Sequence, residues 1–319
     1  MSPLRWRFGP FSHFGLLLLA GIHALTLSLE GAEARRLRIL TSLSPLYSWA
    51  VNVAGTAADV ENLLPADVGP HDYQFRPRDM HKIRSADIIL LNGLGIESWF
   101  ESAIQANAPS AAKKVVEVAA GVPADLLIRE IPALHLEVEG EQAEAHVHKG
   151  PANPHLWLDP WFARHAVTNL LAALRQADAV NAATYEANAA GYIERLHALD
   201  REIEAGLAAL PRRDVITFHD AFPYFCRRYQ LKLVGVIEEV PGSSPSPRYL
   251  AALSAVIREQ RVGVLFTEPQ FDTKLARQLA RDLQIAVANL DTLETGRLAA
   301  SAYEDGMKYN LRALRSSLK

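Results

Sequence analysis

The chain is poor in cysteine: Cys226 is the only one in 319 residues, so an internal disulfide is excluded and stability must come from a packed core. That thiol sits in Phe222-Pro223-Tyr224-Phe225-Cys226, a setting for a buried small hydrophobe rather than a reactive thiolate. Strong charge is missing as well. A formal net charge of −3 sets up no field that would draw nucleic acid or an anionic membrane surface, and both partners are set aside. No His-Glu-x-x-His pair occurs, so the commonest helical signature of a zinc hydrolase is absent.

The N-terminus has its own character. Arg5 and Arg7 make a short basic start, and Phe14 to Leu29 form an apolar segment of signal-peptide length, short of the ~20 residues of a spanning helix. Ala32-Glu33-Ala34 then offers small residues at the positions a signal peptidase reads. The pattern predicts a signal peptide over 1–34 with cleavage before Arg35; an uncleaved anchor is the competing reading. No cysteine closes the apolar segment, so no residue is present there for a lipid, and a freely diffusing periplasmic protein is expected.

A chain of this length exceeds what one core organises, which predicts two lobes. Short apolar runs at Leu37–Leu43, Asp59–Leu64, Asp87–Asn92 and Lys114–Val118 alternate with helical stretches at Ser48–Ala54 and Arg78–Ser85. The alternation is that of a parallel sheet with helices on its faces. It restarts at Asp214–Phe218, Leu231–Ile237, Val262–Thr267 and Ile285–Leu290. Between the halves, Tyr185, Tyr192, Ile193, Leu196, Leu199, Ile203 and Leu207 recur at helical spacing, and Pro211 ends the run. A helix over 181–210 would reach ~43 Å at 1.5 Å per residue. The expected fold is therefore α/β: two lobes, each with a four-stranded, mainly parallel sheet flanked by helices, joined by one long rigid linking helix. The lobes would be 35–180 and 211–319, with a polar His/Glu loop at 133–152.

Three histidines and one aspartate stand where that fold would bring ligands together. His71, in Gly69-Pro70-His71, follows the second strand, and His155 stands between Pro154 and Pro160. His219 directly follows the fifth strand, and Asp291 the last. Open α/β sheets bind ligands beyond the carboxyl ends of their strands. Three neutral imidazoles with a carboxylate suit tetrahedral Zn²⁺. Taken singly, each residue has an ordinary structural reading as a helix cap or a satisfied polar group. Spacing alone leaves both readings open.

Further motifs carry a resemblance. Pro70-His71-Asp72-Tyr73 with Arg76-Pro77, the strand at Asp87, and Asn153-Pro154-His155 with Trp157-Leu158-Asp159-Pro160 come in order. After them come Thr184-Tyr185-Glu186-Ala187-Asn188, Phe218-His219-Asp220-Ala221-Phe222, Pro245-Ser246-Pro247, Phe266-Thr267-Glu268-Pro269-Gln270, Leu290-Asp291 and a last helix at Tyr303–Asn310. Together they resemble the metal-binding solute-binding proteins of ABC importers, the zinc and manganese type, over essentially everything after the signal segment. The resemblance implies two lobes tied by a long helix, with His71, His155, His219 and Asp291 as metal ligands. It also implies Zn²⁺ as cargo, a membrane permease as partner and no enzymatic activity. Pro70 departs from members that carry an acidic residue there, which leaves Asp291 the more needed. A third nitrogen at His219 favours zinc over manganese, whose sites are richer in carboxylates.

The rival readings are the same transport role with Mn²⁺ or Fe²⁺, a zinc-dependent hydrolase, and a surface adhesin. A hydrolase needs an open coordination position, which four protein ligands would close. His135, His146 and His148, with Glu137, Glu139, Glu141 and Glu144, form either a weak second zinc site or a solvated acidic loop. His81, His165 and His197 read as surface residues, and Asp159, Asp220 and Glu268 as structural or ligand-orienting groups. A monomer is expected, and loading by a periplasmic metallochaperone stays open. Imidazoles bind metal only when neutral, so affinity should fall as pH drops through ~6.5.

Overall fold

Hydrophobic patterning separates two sheets of the same winding. In the computed structural model, which describes residues 35–71, 73–107, 114–131, 151–238, 242, 244–271 and 274–319, the first sheet holds β1 (Leu37–Thr41), β2 (Ala58–Asn62), β3 (Ile88–Leu91) and β4 (Lys114–Glu117). The second holds β5 (Asp214–Thr217), β6 (Lys232–Val236), β7 (Val264–Thr267) and β8 (Ala286–Asn289). Strand orders are β2-β1-β3-β4 and β6-β5-β7-β8, and every pairing is parallel. The central strands β3 and β7 are buried at every position, which is why Ile88-Ile89-Leu90-Leu91 and Val264-Leu265-Phe266-Thr267 show no alternation. The predicted signal peptide, and all of the predicted 133–152 loop but its last two residues, lie outside the described residues, as do His135, His146 and His148.

The helices are α1 (Ser44–Ala54), α2 (Asp79–Ser85), α3 (Ser98–Asn107), α4 (Pro160–Ala177), α5 (Ala182–Ala208), α6 (Pro223–Arg228), α7 (Pro247–Glu259), α8 (Lys274–Leu283) and α9 (Ala302–Ser317). The linking helix expected over 181–210 is α5. Its 27 residues give a rod of ~40 Å. Tyr185, Ala189, Tyr192, Leu196, Leu199, Ile203 and Leu207 make its buried stripe, and α4, α1 and α9 pack against it. Gly206 lets α9 come close, because a Cβ there would stand 2.7 Å from Leu311 Cδ1.

Residues 37–319 form one compact unit, and the reason is a core that both halves share. A single apolar cluster runs from Leu40 and Trp49 through Tyr192 to Phe225 and Met307. Trp49 meets Tyr303 edge-on at 5.4 Å, the Trp157 indole donates to Thr292 O at 2.7 Å, and the Tyr303 hydroxyl donates to Trp157 O at 2.8 Å. A smaller cluster around Phe218, Leu253 and Leu265 fills the other face of the second sheet. Cys226 is buried, and burial pushes its thiol up to about 12, as its aromatic setting suggested.

One polar hub crosses this core. Asp200, in the C-terminal half of α5, accepts from Arg164 of α4 at 3.1 Å, from Arg228 of α6 through Nε at 3.0 Å and again through Nη2, and from the Tyr229 hydroxyl at 3.1 Å. Burial alone would raise its carboxyl pKa, but Arg228 and Arg164 hold it below the ordinary range. A depressed carboxyl stabilises the fold above its unfolded value of ~3.9, and the contribution is lost as pH falls through the folded value. Asp200→Ala removes the carboxylate that Arg164, Arg228 and Tyr229 share, so a loss on the order of 2–4 kcal/mol is expected from urea unfolding of the metal-free protein at neutral pH. A change under about 0.5 kcal/mol would show that the hub is a solvated surface cluster.

Candidate metal centre

Each histidine is fixed by the chain around it. His71 lies in the loop between β2 and α2, anchored just beyond it where Asp79 accepts from the Tyr73 hydroxyl at 2.5 Å and from Arg76 N at 2.7 Å. His155 leads into a 3-10 turn at Leu156–Leu158, and Asp159 then caps α4 by accepting from Trp161 N at 2.8 Å. Its own N–H donates to Asn153 Oδ1 at 3.0 Å. His219 follows the fully buried end of β5, and its N–H donates to Glu268 Oε1 at 3.1 Å. Two of the three positions are therefore set by backbone hydrogen bonds as well as by packing.

The three rings converge on a carboxylate. From Glu294 Oε1 to the Nε2 atoms of His155, His71 and His219 the distances are 3.4, 3.5 and 3.6 Å, and the Nε2 atoms of His155 and His219 are 3.3 Å apart. All four donor atoms lie within 4.8 Å of one another. The edges of a tetrahedron with metal–ligand bonds of ~2.0–2.2 Å measure ~3.3–3.6 Å, so these contacts have the spacing of a ligand set. His155, His219 and Glu294 are fully buried, and the His71 side chain is 13% exposed, which makes it the side open to solvent. Glu294 Oε1 and His71 Nε2 are buried without a hydrogen-bond partner, although such atoms are rarely left so. Both face the same small volume.

Surrounding groups set the charge and tautomer of the site. Both oxygens of Glu268 lie 2.7 Å from His219 Nδ1, and Asn153 Oδ1 lies 3.0 Å from His155 Nδ1. Each ring thus presents Nε2 to the centre while Nδ1 is held from behind. Gln270 Nε2 donates to Thr292 Oγ1 at 2.8 Å and spans Glu268 Oε2 and Glu294 Oε2 at 3.3 and 3.5 Å. Burial drives the His155 imidazole down to about 4. Burial also opposes charge on His219, but Glu268 and Glu294 outweigh it and hold that imidazole well above its ordinary value. For Glu294, burial is overcome by the three imidazoles, which keep its carboxyl well below the usual range.

The fourth group is not the one expected. His71, His155 and His219 come together, but Asp291 does not join them: its carboxylate accepts from Leu293 N at 2.8 Å, closing a tight turn. Its backbone is pinned by Asn310, which accepts from Asp291 N and donates to Asp291 O, both at 2.7 Å. Leu293 then takes φ +60°, and the chain reverses so that Glu294 points inward. Asp291 shapes the turn, and Glu294 is the carboxylate of the cluster. Of the three carboxylates read as structural or ligand-orienting, Asp220 Oδ2 accepts from Asn153 Nδ2 at 3.2 Å, Glu268 accepts from His219, and Asp159 is a helix cap.

Four donor groups that could hold a metal ion, drawn from both halves of the chain, fit a metal-binding solute-binding protein of ABC importers, and the chain is of that class. It belongs to the family described as zinc-uptake complex component A, periplasmic, which matches residues 39–317. The chain is 30% identical over 307 residues to the high-affinity zinc uptake system protein ZnuA of Bacillus subtilis, covering 95% of this chain and 94% of that one. It is 32% identical to the iron-binding protein YfeA of Yersinia pestis, covering 78% and 75%. Against the zinc-binding protein AdcA of Streptococcus pyogenes, 27% identical, it spans 88% of itself and little more than half, 56%, of the relative. Among solved structures, the solute-binding protein FpvC of Pseudomonas aeruginosa with Ni²⁺ superposes with a TM-score of 0.75 at 29% identity, covering 89% of this chain and 97% of that one. Among the described residues no helix is long and apolar enough to cross a membrane.

Proposed function

We propose that the protein captures Zn²⁺ in the periplasm through His71, His155, His219 and Glu294 and delivers it to the permease of an ABC importer. The observation that carries this reading is the convergence of three Nε2 atoms on one buried carboxylate oxygen at tetrahedral spacing. Three imidazoles favour zinc over manganese, whose sites carry more oxygen. The iron-binding and nickel-bound relatives keep a second reading in view, the same role with another divalent metal. Four protein donors fill a tetrahedral shell and leave no position for an activated water, so the protein carries its metal and does no chemistry on it. Export with removal of residues 1–34 goes with this role. Sequencing the protein recovered from the periplasm should then find Arg35 first.

Metal analysis of protein isolated from its own periplasm, followed by competitive titration, tests the proposal. One zinc per chain is expected, with manganese displaced by zinc. His155→Ala should weaken zinc binding by more than about a hundredfold, beyond what the loss of an outer partner costs. His146→Ala should leave the main site intact. Equal losses from both variants, or manganese that zinc cannot displace, would count against the assignment.

A further inference from the structure

The four outer edges of the two sheets are not protected alike. Unpaired strand edges attract other strands, and proteins blunt them with charges, prolines, bulges or covering segments. Edge strand β2 carries Asp59 and Glu61, and β4 carries Lys114 and Glu117. Edge strand β6 carries Lys232 and faces a register shift at Val215/Ile216. Edge strand β8 is Ala286-Val287-Ala288-Asn289, with neither charge nor proline, and all but Ala288 are exposed.

The free side of β8 follows from its ladder. Ala286 N donates to Gly263 O and Leu290 N to Thr267 O on β7, both at 2.9 Å. Backbone groups alternate along a strand, so Val287 and Asn289 turn their N–H and C=O outward. Val287 is also 40% exposed. A groove of about 400 Å³ is lined by Val287, Ala288 and Asn289 of the strand together with Arg277 and Arg281 of α8.

We infer that this groove is a docking edge for an extended, acidic segment of a partner protein, which adds a strand to β8 and sets carboxylates against Arg277 and Arg281. Main-chain bonds to an exposed edge supply affinity in such strand addition, and flanking side chains choose the partner. Charge argues against a second copy as occupant. Pairing β8 with β8 about a two-fold axis would bring both copies' arginine pairs to one seam. An acidic chain meets the same groups with opposite sign. The edge lies outside the metal cluster, so the inference does not depend on which ion the protein carries.

The probe is a fluorescent, end-capped heptapeptide of alternating glutamate and valine, titrated against the intact, metal-loaded protein; its lysine–valine counterpart is the control. Saturable binding of the acidic peptide is expected, weakened on the order of tenfold by the double substitution Arg277→Glu and Arg281→Glu and by ~0.5 M salt. Val287→Pro should also abolish binding, since it removes an outward N–H that the fold does not use. Should that variant misfold, the arginine variant still decides the matter. The inference is overturned if the lysine peptide binds as well as the acidic one, if the arginine variant binds undiminished, or if no saturable binding appears at millimolar protein. Concentration-dependent dimers abolished by the arginine variant would overturn it too, by assigning the edge to a second copy.

Discussion

Glu294→Gln is expected to weaken zinc binding by on the order of a hundredfold or more, while Asp291→Asn changes it by no more than about threefold. The asymmetry follows from where the two carboxylates point. Glu294 Oε1 is within 3.4–3.6 Å of all three Nε2 atoms, and the amide of a glutamine brings no charge to balance the ion. The bond that Asp291 Oδ1 accepts from Leu293 N can be accepted equally by an asparagine oxygen, so the turn survives. Asp291→Ala removes that acceptor and should fall between the two, because a looser turn lets Glu294 wander. Competition against a fluorescent zinc chelator reads all three. If Asp291→Asn lost as much affinity as Glu294→Gln, the aspartate would have to swing onto the ion when it binds, and the turn seen here would belong to the metal-free form alone.

That single residue marks where legibility ended. All eight strands were readable from apolar runs, with ends displaced by one or two residues: Leu231–Ile237 is β6 at Lys232–Val236, and Val262–Thr267 is β7 at Val264–Thr267. Strand cores are set by burial, which composition records, whereas strand ends are set by where the ladder bonds stop. The long helix was legible because its stripe of Tyr185, Tyr192, Leu196, Leu199, Ile203 and Leu207 keeps one period throughout. His71 and His219 were legible because strand-end loops in such a fold open on one cleft, and His155 because the prolines on either side fix its loop. Glu294 was not, since its direction depends on Leu293 at φ +60°, a conformation leucine seldom takes and composition does not announce. The aspartate two residues earlier is a common turn former, and that ordinary role is the one it plays. The only hint available was an acidic residue three positions beyond Asp291, just ahead of Thr295-Gly296.

Protons should compete with the ion in a way that free imidazole does not predict. With His155 driven down to about 4, that ring is neutral and ready at neutral pH. His219 is the opposite case: Glu268 and Glu294 hold it charged, so its Nε2 proton must leave as the metal arrives. The proton on Nδ1 stays, facing Glu268 at 2.7 Å. About one proton should therefore be released by His219 for each ion bound, raising the logarithm of the affinity by about one per pH unit below the raised value of that ring. A further steepening is expected near pH 4, where His155 begins to protonate. The loss expected near 6.5 for free imidazole thus divides between a ring that titrates higher and one that titrates lower. Glu268→Gln tests the cause. Without the Glu268 charge the His219 value drops, and fewer protons are released on binding. An amide N–H turned toward Nδ1 would also place the ring's one proton on Nε2, where it faces the ion instead of a lone pair. A ten- to hundredfold loss of affinity is expected, about the cost of losing an outer partner of a ligating histidine, together with a shallower pH slope. Titration calorimetry in buffers of different ionisation enthalpy counts the protons directly. A variant that kept both the affinity and the proton count of the parent would show that Glu268 holds the ring in place without setting its charge.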